Sequence, residues 1–262
     1  MKIFTLGLIA LTLGTAGLAA AQDLRIGSSA DYAPWESVDA NGEIVGFDRD
    51  FADELCKRLT LNCTWTNQAY DGLLPSLQVG KFDALISAMS INAERAQMVD
   101  FSIAYADAPN GFVGLADNAL SAETSKEDLI AALSGKVIGV QSGTTHEQVV
   151  SAHLPDAEVR SYERPEQLAD DLRAGRIDMG LMEMSAWEPF LEGGEASGLK
   201  RIGPQLTDAD YAEFGQGQGI AMKKGNDELK ARIDGAIKEM LADGTLRTIS
   251  DKWFGYDVSS KM

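Results

Sequence analysis

Short apolar runs alternate with amphipathic segments along most of the chain. Residues 24–27 have the apolar–polar pattern of a short strand, and Phe51, Leu55 and Leu59 then recur every four residues. That spacing predicts a helix, with Asp48 as its N-cap. Alternation of strands and helices predicts an α/β fold in which mainly parallel sheets are covered by helices.

The rest of the chain continues this pattern. Further strands are predicted at residues 63–65, 82–86, 136–140, 158–162 and 176–182. Further helices are predicted at residues 73–79, 127–133, 144–152, 165–174, 227–243 and 246–253. Turn-forming residues mark residues 104–111 and 205–218 as connectors. Two connectors around a middle block predict two lobes, with lobe 1 in residues 22–108 and 209–262 and lobe 2 in residues 109–208.

The first 21 residues have the layout of a secretory signal peptide. Lys2 provides a positive start, residues 3–20 carry no charge, and small residues at 19–21 precede a cleavage site before Gln22. A retained N-terminal anchor is the alternative. No later segment approaches the ~18 uncharged apolar residues that span a bilayer. We therefore expect an exported, periplasmic protein.

The charge balance excludes some partners. The formal net charge is −17, and removal of Lys2 with the signal peptide leaves −17 − 1 = −18. A surface this acidic repels phosphates, which argues against binding to nucleic acid or docking on anionic lipid. The sign of the charge does not identify a ligand, because a local site can oppose the global field.

Cys56 and Cys63 are the two cysteines of the chain. In an exported protein this pair predicts a local disulfide bond, with two free thiols as the alternative. A metal site would need more ligands, and the two histidines, His146 and His153, lie far along the chain. His146 begins a predicted helix beside Glu147, where we expect a solvated side chain.

Catalytic motifs are missing from the sequence. There is no Gly-x-Ser-x-Gly elbow, no P-loop and no Gly-x-Gly-x-x-Gly after a strand. We therefore expect no catalytic residue, no metal and no cofactor.

Two strand-to-helix turns suit an anion. Residues 87–95 place hydroxyl side chains after a strand, with Asn92 as the cap of a helix that holds Arg95, and residues 140–145 place hydroxyls and Gly143 at another helix start. Free N–H groups and the helix dipole favour negative charge there, and an arginine adds a fork that matches a carboxylate. Ordinary capping and a surface arginine are the alternatives.

Further candidate residues lie at other strand ends. Glu183 follows an apolar strand, where its carboxylate can hold an ammonium group or face solvent. Tyr32, Trp35 and Tyr70 are aromatic residues near the first strand, and they can stack on a ligand or pack in the core.

Together these segments resemble the solute-binding proteins of polar amino acid ABC transporters, especially the lysine/arginine/ornithine/histidine- and opine-binding types. The resemblance covers essentially the whole mature chain. It rests on the order and spacing of residues 31–36, 46–48, Cys56 with Cys63, 74–77, 82–84, 88–90 with Arg95, 100–102, 139–141, 143–145, 174–178, 243–245 and 252–254. It implies the two-lobed periplasmic-binding-protein fold with a two-segment hinge.

The resemblance also implies a set of ligand-binding residues. These are Ser29, Tyr32, Tyr70, Ser87, Ala88, Ser90, Arg95, Gln141, Thr144, Thr145 and Glu183. Within this set, Arg95, Ser90 and Thr145 resemble the groups that grip the α-carboxylate of an amino acid.

The remaining roles are implied in the same way. Ser87 and the backbone near Ala88 would orient the α-ammonium group. Tyr32 and Tyr70 resemble the aromatic residues that flank the ligand side chain, and Gln141 occupies a position that contacts it.

Two residues depart from the family pattern. Basic-amino-acid binders carry an acidic residue where this chain has Ser29, although Asp31 lies close by, and relatives hold the α-ammonium with Asp where this chain has Glu183. Both departures weaken an assignment to lysine, arginine or ornithine. A polar amino acid or an opine stays the expected ligand.

The resemblance implies a monomeric protein that binds this ligand in the periplasm and delivers it to an inner-membrane ABC permease. A cyclohexadienyl dehydratase-like enzyme, with Glu183 as general acid, is an alternative on the same scaffold. A sensory protein that presents the ligand to a receptor is another.

Overall fold

The structure, a computed structural model, describes residues 22–261. The predicted signal peptide, residues 1–21, lies outside the described residues. Two five-stranded sheets, both covered by helices, form the described part. The predicted two-lobed α/β fold is confirmed. None of the described helices combines the length and the apolar character needed to cross a membrane.

The first sheet contains strands from both ends of the chain. Its strands are, in spatial order, β5 (Leu61–Asn67), β1 (Gln22–Ser28), β6 (Ala84–Leu85), β13 (Ala221–Met222) and β7 (Asp100–Phe101). β1 runs parallel to β5 and β6, and β13 runs antiparallel to its two neighbours. Four of the five strands therefore share one direction. A small antiparallel sheet of β2 (Asp31–Tyr32), β3 (Glu36–Val38) and β4 (Ile44–Val45) follows β1.

The second sheet is built from the middle of the chain. Its strands are, in spatial order, β10 (Glu158–Tyr162), β9 (Val137–Gln141), β11 (Met179–Glu183), β8 (Asn110–Leu115) and β12 (Leu199–Leu206). β9 is parallel to β10 and β11, whereas β8 is antiparallel to β11 and β12. Here too, four strands share one direction.

Helices pack against both sheets. Those beside the first sheet are α1 (Phe47–Leu59), α2 (Leu73–Gln78), α3 (Arg95–Met98), α8 (Asp227–Ala242) and α9 (Thr245–Phe254). Those beside the second sheet are α4 (Lys126–Ala132), α5 (Thr145–His153), α6 (Pro165–Arg173) and α7 (Met184–Leu191). The helices predicted from periodicity are present, with ends that differ by one or two residues. α7, β8 and β12 were not predicted, and neither were the short strands β2, β3, β4, β7 and β13.

The chain crosses between the sheets twice. It leaves the first sheet after Phe101 and returns to it at Ala221. The two crossing segments run side by side, because the N–H of Gln218 donates to the carbonyl of Ala106 at 2.8 Å and the N–H of Tyr105 donates to the carbonyl of Gln218 at 2.9 Å. The predicted lobe boundaries, 108/109 and 208/209, fall inside these crossings.

The first crossing, residues 102–109, ends two residues before the predicted connector at residues 104–111 does. Asn110 and Gly111 begin β8 and pair with Glu183 and Met182 of β11, so they are strand residues and not turn formers. Gly111 is required there by packing, because a Cβ atom would lie 2.2 Å from the sulfur of Met184.

The prediction that Asp48 caps α1 is wrong. The helix begins at Phe47, and Gly46 occupies the N-cap position with φ of 135°. A Cβ atom on Gly46 would lie 2.3 Å from the carbonyl oxygen of Trp35. Asp48 lies in the first turn of the helix, fully buried, and accepts hydrogen bonds from outside it.

Cys56 on α1 and Cys63 on β5 form the predicted disulfide bond. The bridge joins the end of a helix to the strand that follows it. Their sequence separation is 7 residues, so the bridge closes a short loop. The chain-entropy model assigns a loop of this size about 2.5 kcal/mol of stability.

Replacing both cysteines with alanine is expected to lower the free energy of unfolding by about 2 kcal/mol, since the unfolded chain regains the freedom of that loop. Urea denaturation of the mature protein measures the change. Mass spectrometry without reductant is expected to find no alkylatable thiol in the parent. Two alkylated cysteines in the folded parent would contradict the bridge.

Candidate functional site

A cavity lies between the two sheets, at the ends of strands from both. Its empty space is about 250 Å³, counting space open to solvent. Nine of the eleven predicted ligand-binding residues line it: Tyr32, Tyr70, Ser87, Ala88, Ser90, Gln141, Thr144, Thr145 and Glu183. The other two lie against this lining, because the N–H of Ser29 donates to Ser87 Oγ and Arg95 donates to the carbonyl of Ser90.

Arg95 is buried although it is charged. It is 1% exposed, and its guanidinium donates from Nη1 to the carbonyl of Ser90 and from Nη2 to the carbonyl of Gly143, both at 3.1 Å. The guanidinium carbon lies 5.8 Å from the centre of the Tyr70 ring. No carboxylate of residues 22–261 forms an ion pair with it. A buried cation held only by carbonyls and a ring face is strongly attractive to an anion.

The local sequence explains where Arg95 sits. The N–H of Arg95 donates to Asn92 Oδ1 at 2.9 Å, so the Asn92 side chain caps the turn that leads into α3. The N-cap position of α3 itself is Glu94, two residues later than predicted. A second amide contact crosses to the other lobe, because Asn92 Nδ2 donates to Gln148 Oε1 at 3.0 Å. The cap thus fixes the arginine where the two lobes meet.

The N-terminus of α5 faces the same cavity. Thr144 is its N-cap: the hydroxyl accepts from the N–H of Glu147 and donates to the carbonyl of Gln141 at 2.7 Å. Gly143 precedes it with φ of 74°, and a Cβ atom there would lie 3.0 Å from Cα of Asp71 in the other lobe. Thr145 begins the helix, so its backbone presents the positive end of the helix dipole beside Arg95.

Glu183 ends β11 on the other side of the cavity. Its side chain is buried rather than solvent-facing, at 4% exposure. The Tyr32 hydroxyl donates to Glu183 Oε2, and His146 Nε2 lies 3.4 Å from the same oxygen. Burial, and next the neighbouring Glu183, raise the pKa of Tyr32 well above its usual value. Tyr32 therefore stays a neutral donor.

The prediction of a solvated His146 is wrong. The imidazole is 2% exposed, lines the cavity, and has Nε2 at 2.8 Å from Asn110 Oδ1. Burial lowers its pKa, so the ring is neutral at pH 7. Because Asn110 Oδ1 accepts from Nε2, Nδ1 carries a bare lone pair, and it has no hydrogen-bond partner among the described residues.

The carboxylate of Asp31 lies beside Ser29. The Ser29 hydroxyl donates to Asp31 Oδ1 at 2.9 Å, and Gln141 Nε2 approaches the same oxygen at 3.5 Å from the other lobe. Burial raises the pKa of Asp31 to about 6. The carboxylate missing at position 29 is thus present two residues later.

No group of three or more His, Cys, Asp or Glu residues within the described range 22–261 is arranged to hold a metal ion. The cavity instead combines a cation and a helix N-terminus on one side with a carboxylate on the other. That arrangement suits a dipolar molecule.

Residues 24–256 match the family model described as bacterial extracellular solute-binding proteins, family 3. The chain belongs to this family. It is 38% identical to the L-arginine-binding protein of Pseudomonas aeruginosa over 261 residues, which cover 98% of each protein. It is 37% identical to the histidine-binding periplasmic protein of Salmonella typhimurium, covering 95% of each. Its fold is similar to a solved ancestral arginine-binding protein bound to arginine, with a TM-score of 0.80, 33% identity, and coverage of 90% of this chain and 100% of the other.

Two buried residues at or beside the cavity, His146 and Glu36, were not predicted from the sequence as site residues. His146 could have been found from periodicity, since it lies three and four residues before the buried Val149 and Val150 and so shares their helix face. Glu36 gave no such signal, because its partners Ser87 and Asp48 are distant in sequence or lie on another element.

Proposed function

We propose that this protein binds an L-α-amino acid in the periplasm and delivers it to an inner-membrane ABC permease. The observation that carries the proposal is the buried Arg95 guanidinium, which has no ion-pair partner among the described carboxylates and joins the carbonyls of Ser90 in one lobe and Gly143 in the other. The family and its amino-acid-binding members support the same function.

The α-carboxylate of the ligand is assigned to the Arg95 side of the cavity. The guanidinium offers parallel N–H donors that match two carboxylate oxygens. The Ser90 hydroxyl and the backbone at Thr145 add donors from the two lobes, and the dipole of α5 adds a favourable field. A carboxylate here would contact both lobes and so stabilise the closed form.

The α-ammonium group is assigned to Glu183. Its carboxylate supplies the opposite charge, and Ser87 Oγ supplies an acceptor from the other lobe. The Tyr32 hydroxyl orients Glu183 by donating to Oε2.

The ligand side chain is assigned to the space beside Tyr32 and Tyr70. Gln141 lines the cavity, and its Nε2 lies 3.5 Å from Asp31 Oδ1, so the Asp31 carboxylate is next to the lining. These groups favour a side chain that ends in hydrogen-bond donors, and a guanidinium or ammonium most of all. L-Arginine is therefore the first ligand to test, followed by L-lysine, L-histidine and octopine.

Delivery would use the two-segment hinge. Closing the lobes forms the Asn92–Gln148 contact and a hydrogen bond from Trp35 Nε1 to Ser185 Oγ at 2.9 Å. A permease can then recognise the closed form. We propose further that residues 1–21 direct export and are removed, and that the mature protein acts as a monomer.

The test is titration calorimetry of the mature protein, residues 22–262, with the four ligands and with agmatine, which lacks the carboxylate. We expect at least one amino acid or opine to bind with a Kd of about 1 μM or lower, which corresponds to a binding free energy of about −8 kcal/mol. Agmatine is expected not to bind. Agmatine binding as tight as that of L-arginine would contradict the carboxylate assignment.

Replacing Asp31 with Asn is expected to weaken L-arginine binding about tenfold, because the guanidinium loses a charged acceptor. Binding of L-glutamine, whose side chain is neutral, is expected to change less than about twofold. Calorimetry at pH 7.5, well above the pKa of about 6 for Asp31, measures both. An equal loss of affinity for L-arginine and L-glutamine would show that Asp31 does not distinguish a charged ligand side chain from a neutral one.

No observation favours the dehydratase alternative. The relatives described above are named as binding proteins, and Glu183 accepts a hydrogen bond from the Tyr32 hydroxyl. Incubation with prephenate or arogenate is expected to give no aromatic product.

A further inference from the structure

Two carboxyl groups lie behind the cavity wall with no cation beside them. Glu36 is 1% exposed and Asp48 is fully buried. The two carboxyls are neighbours, each acting on the pKa of the other, and no basic side chain of residues 22–261 forms an ion pair with either. Two adjacent buried carboxylates repel strongly, so such pairs hold a proton between them.

The surrounding contacts identify the protonated member. Asp48 accepts at both oxygens, from the N–H of Ala88 at 2.7 Å and from the Tyr105 hydroxyl at 2.9 Å. Glu36 Oε1 accepts from the Ser87 hydroxyl at 2.8 Å, whereas Oε2 has no donor from the described residues. Donors on both oxygens stabilise Asp48 as the carboxylate. Oε2 of Glu36 is left to carry the proton.

We infer that Glu36 is a protonated acid that donates its hydrogen bond to the Asp48 carboxylate, and that this pair positions Ser87 and Ala88 for the ligand. Neither carboxyl lines the cavity, so both are positioning residues. The ligand part of the inference rests on the proposed function.

Ser87 shows why the location of the proton matters. Its Oγ accepts from the N–H of Ser29 at 3.0 Å, and its hydroxyl hydrogen is donated to Glu36 Oε1. A hydroxyl has one donor and two acceptor lone pairs, so Ser87 is left with one lone pair. It can only accept from the ligand, which suits an ammonium group.

Ala88 depends on the other member of the pair. Its φ is 43°, in the left-handed region, where a residue with a Cβ atom is strained. Such a conformation persists when the surroundings hold it. The hydrogen bond from the Ala88 N–H to Asp48 does so directly.

The titration behaviour agrees with this assignment. Burial, and next the Asp48 charge, raise the pKa of Glu36 well above its usual value, and burial raises the pKa of Asp48 to about 6. The other titratable groups that face Glu36 are Asp31, Tyr70 and Tyr105. Both directions agree with a proton held within the pair.

Three variants test the positioning role, with L-arginine as the probe. Glu36→Gln keeps both contacts, since the amide donates to Asp48 and its oxygen accepts from Ser87, and the affinity is expected to fall less than about threefold. Glu36→Met and Asp48→Asn remove an acceptor, and each is expected to weaken binding more than about tenfold. The opposite result, in which Asp48→Asn binds L-arginine like the parent and Glu36→Gln binds it much more weakly, would place the proton on Asp48 and overturn the inference. If Asp48→Asn does not fold, the comparison of Glu36→Gln with Glu36→Met tests the inference instead.

Ligand-free protein tests the proton itself. Infrared spectra at pH 7.5 are expected to show the carbonyl stretch of a protonated carboxylic acid, and Glu36→Gln is expected to lose it. Above pH 4.5 the unfolded chain releases a proton that folded Glu36 retains, so the parent is expected to lose stability relative to Glu36→Gln as pH rises. The absence of this infrared band in the parent, or a stability difference between the parent and Glu36→Gln that does not change with pH, would overturn the assignment of the proton to Glu36. If the parent binds none of the four ligands named above, the proposed function fails, and these spectra still decide where the proton lies.

Discussion

Replacing Arg95 with alanine is expected to weaken L-arginine binding by a factor of at least about 100, or roughly 3 kcal/mol, because the ligand carboxylate loses its buried cationic partner. The parent guanidinium is 1% exposed and is held in place by the Ser90 and Gly143 carbonyls. Titration calorimetry of the mature protein measures the loss. The loss is expected for every α-amino acid that the parent binds, since all carry the same carboxylate.

Two further arginine variants separate charge from geometry. Arg95→Lys keeps the charge but not the planar fork, and an intermediate loss of about tenfold is expected. Arg247→Ala removes a cation whose side chain is 70% exposed on α9, and the affinity is expected to stay that of the parent. Micromolar binding by Arg95→Ala would contradict the assignment of the carboxylate.

Replacing Glu183 with Gln is expected to weaken binding of L-arginine by about thirtyfold, or ~2 kcal/mol, because the α-ammonium loses its charged acceptor. Glu183 is 4% exposed, so solvent does not replace that charge. The variant keeps an acceptor for the Tyr32 hydroxyl, so it tests the charge rather than the shape of the side chain. Thermal denaturation checks that the fold is retained.

A control lies on the next helix. Glu188 in α7 is 35% exposed and pairs with Arg201 at 3.6 Å, outside the cavity. Glu188→Gln is expected to leave the affinity unchanged. An equal loss from Glu183→Gln and Glu188→Gln would mean that overall charge, and not the cavity, sets the affinity.

The strand-to-helix turns explain how much of the site could be predicted from the sequence. Arg95 follows a buried strand and the capping residue Asn92, and both signals are local. Thr144 follows β9 in the same way. Nine of the eleven predicted residues line one cavity as a result, because the fold brings such turns to neighbouring sheet edges.

The contacts between these turns could not be predicted. Tyr32 and Glu183 are 151 residues apart, and only the packing of two lobes joins them. β12 was missed because Gly203 and Pro204 interrupt its pattern, and the ladder against β8 shifts register there. His146 was misplaced because its polar neighbours, Thr145 and Glu147, hide a short buried helix face.

A crystal structure of the mature protein with L-arginine tests the central assignment most directly. We expect the α-carboxylate against the Arg95 guanidinium and the N-terminus of α5, and the α-ammonium within hydrogen-bond distance of Glu183. The side-chain guanidinium is expected to point toward Asp31 and Gln141. A ligand bound in the opposite direction, or outside the cavity between the two sheets, would contradict this account.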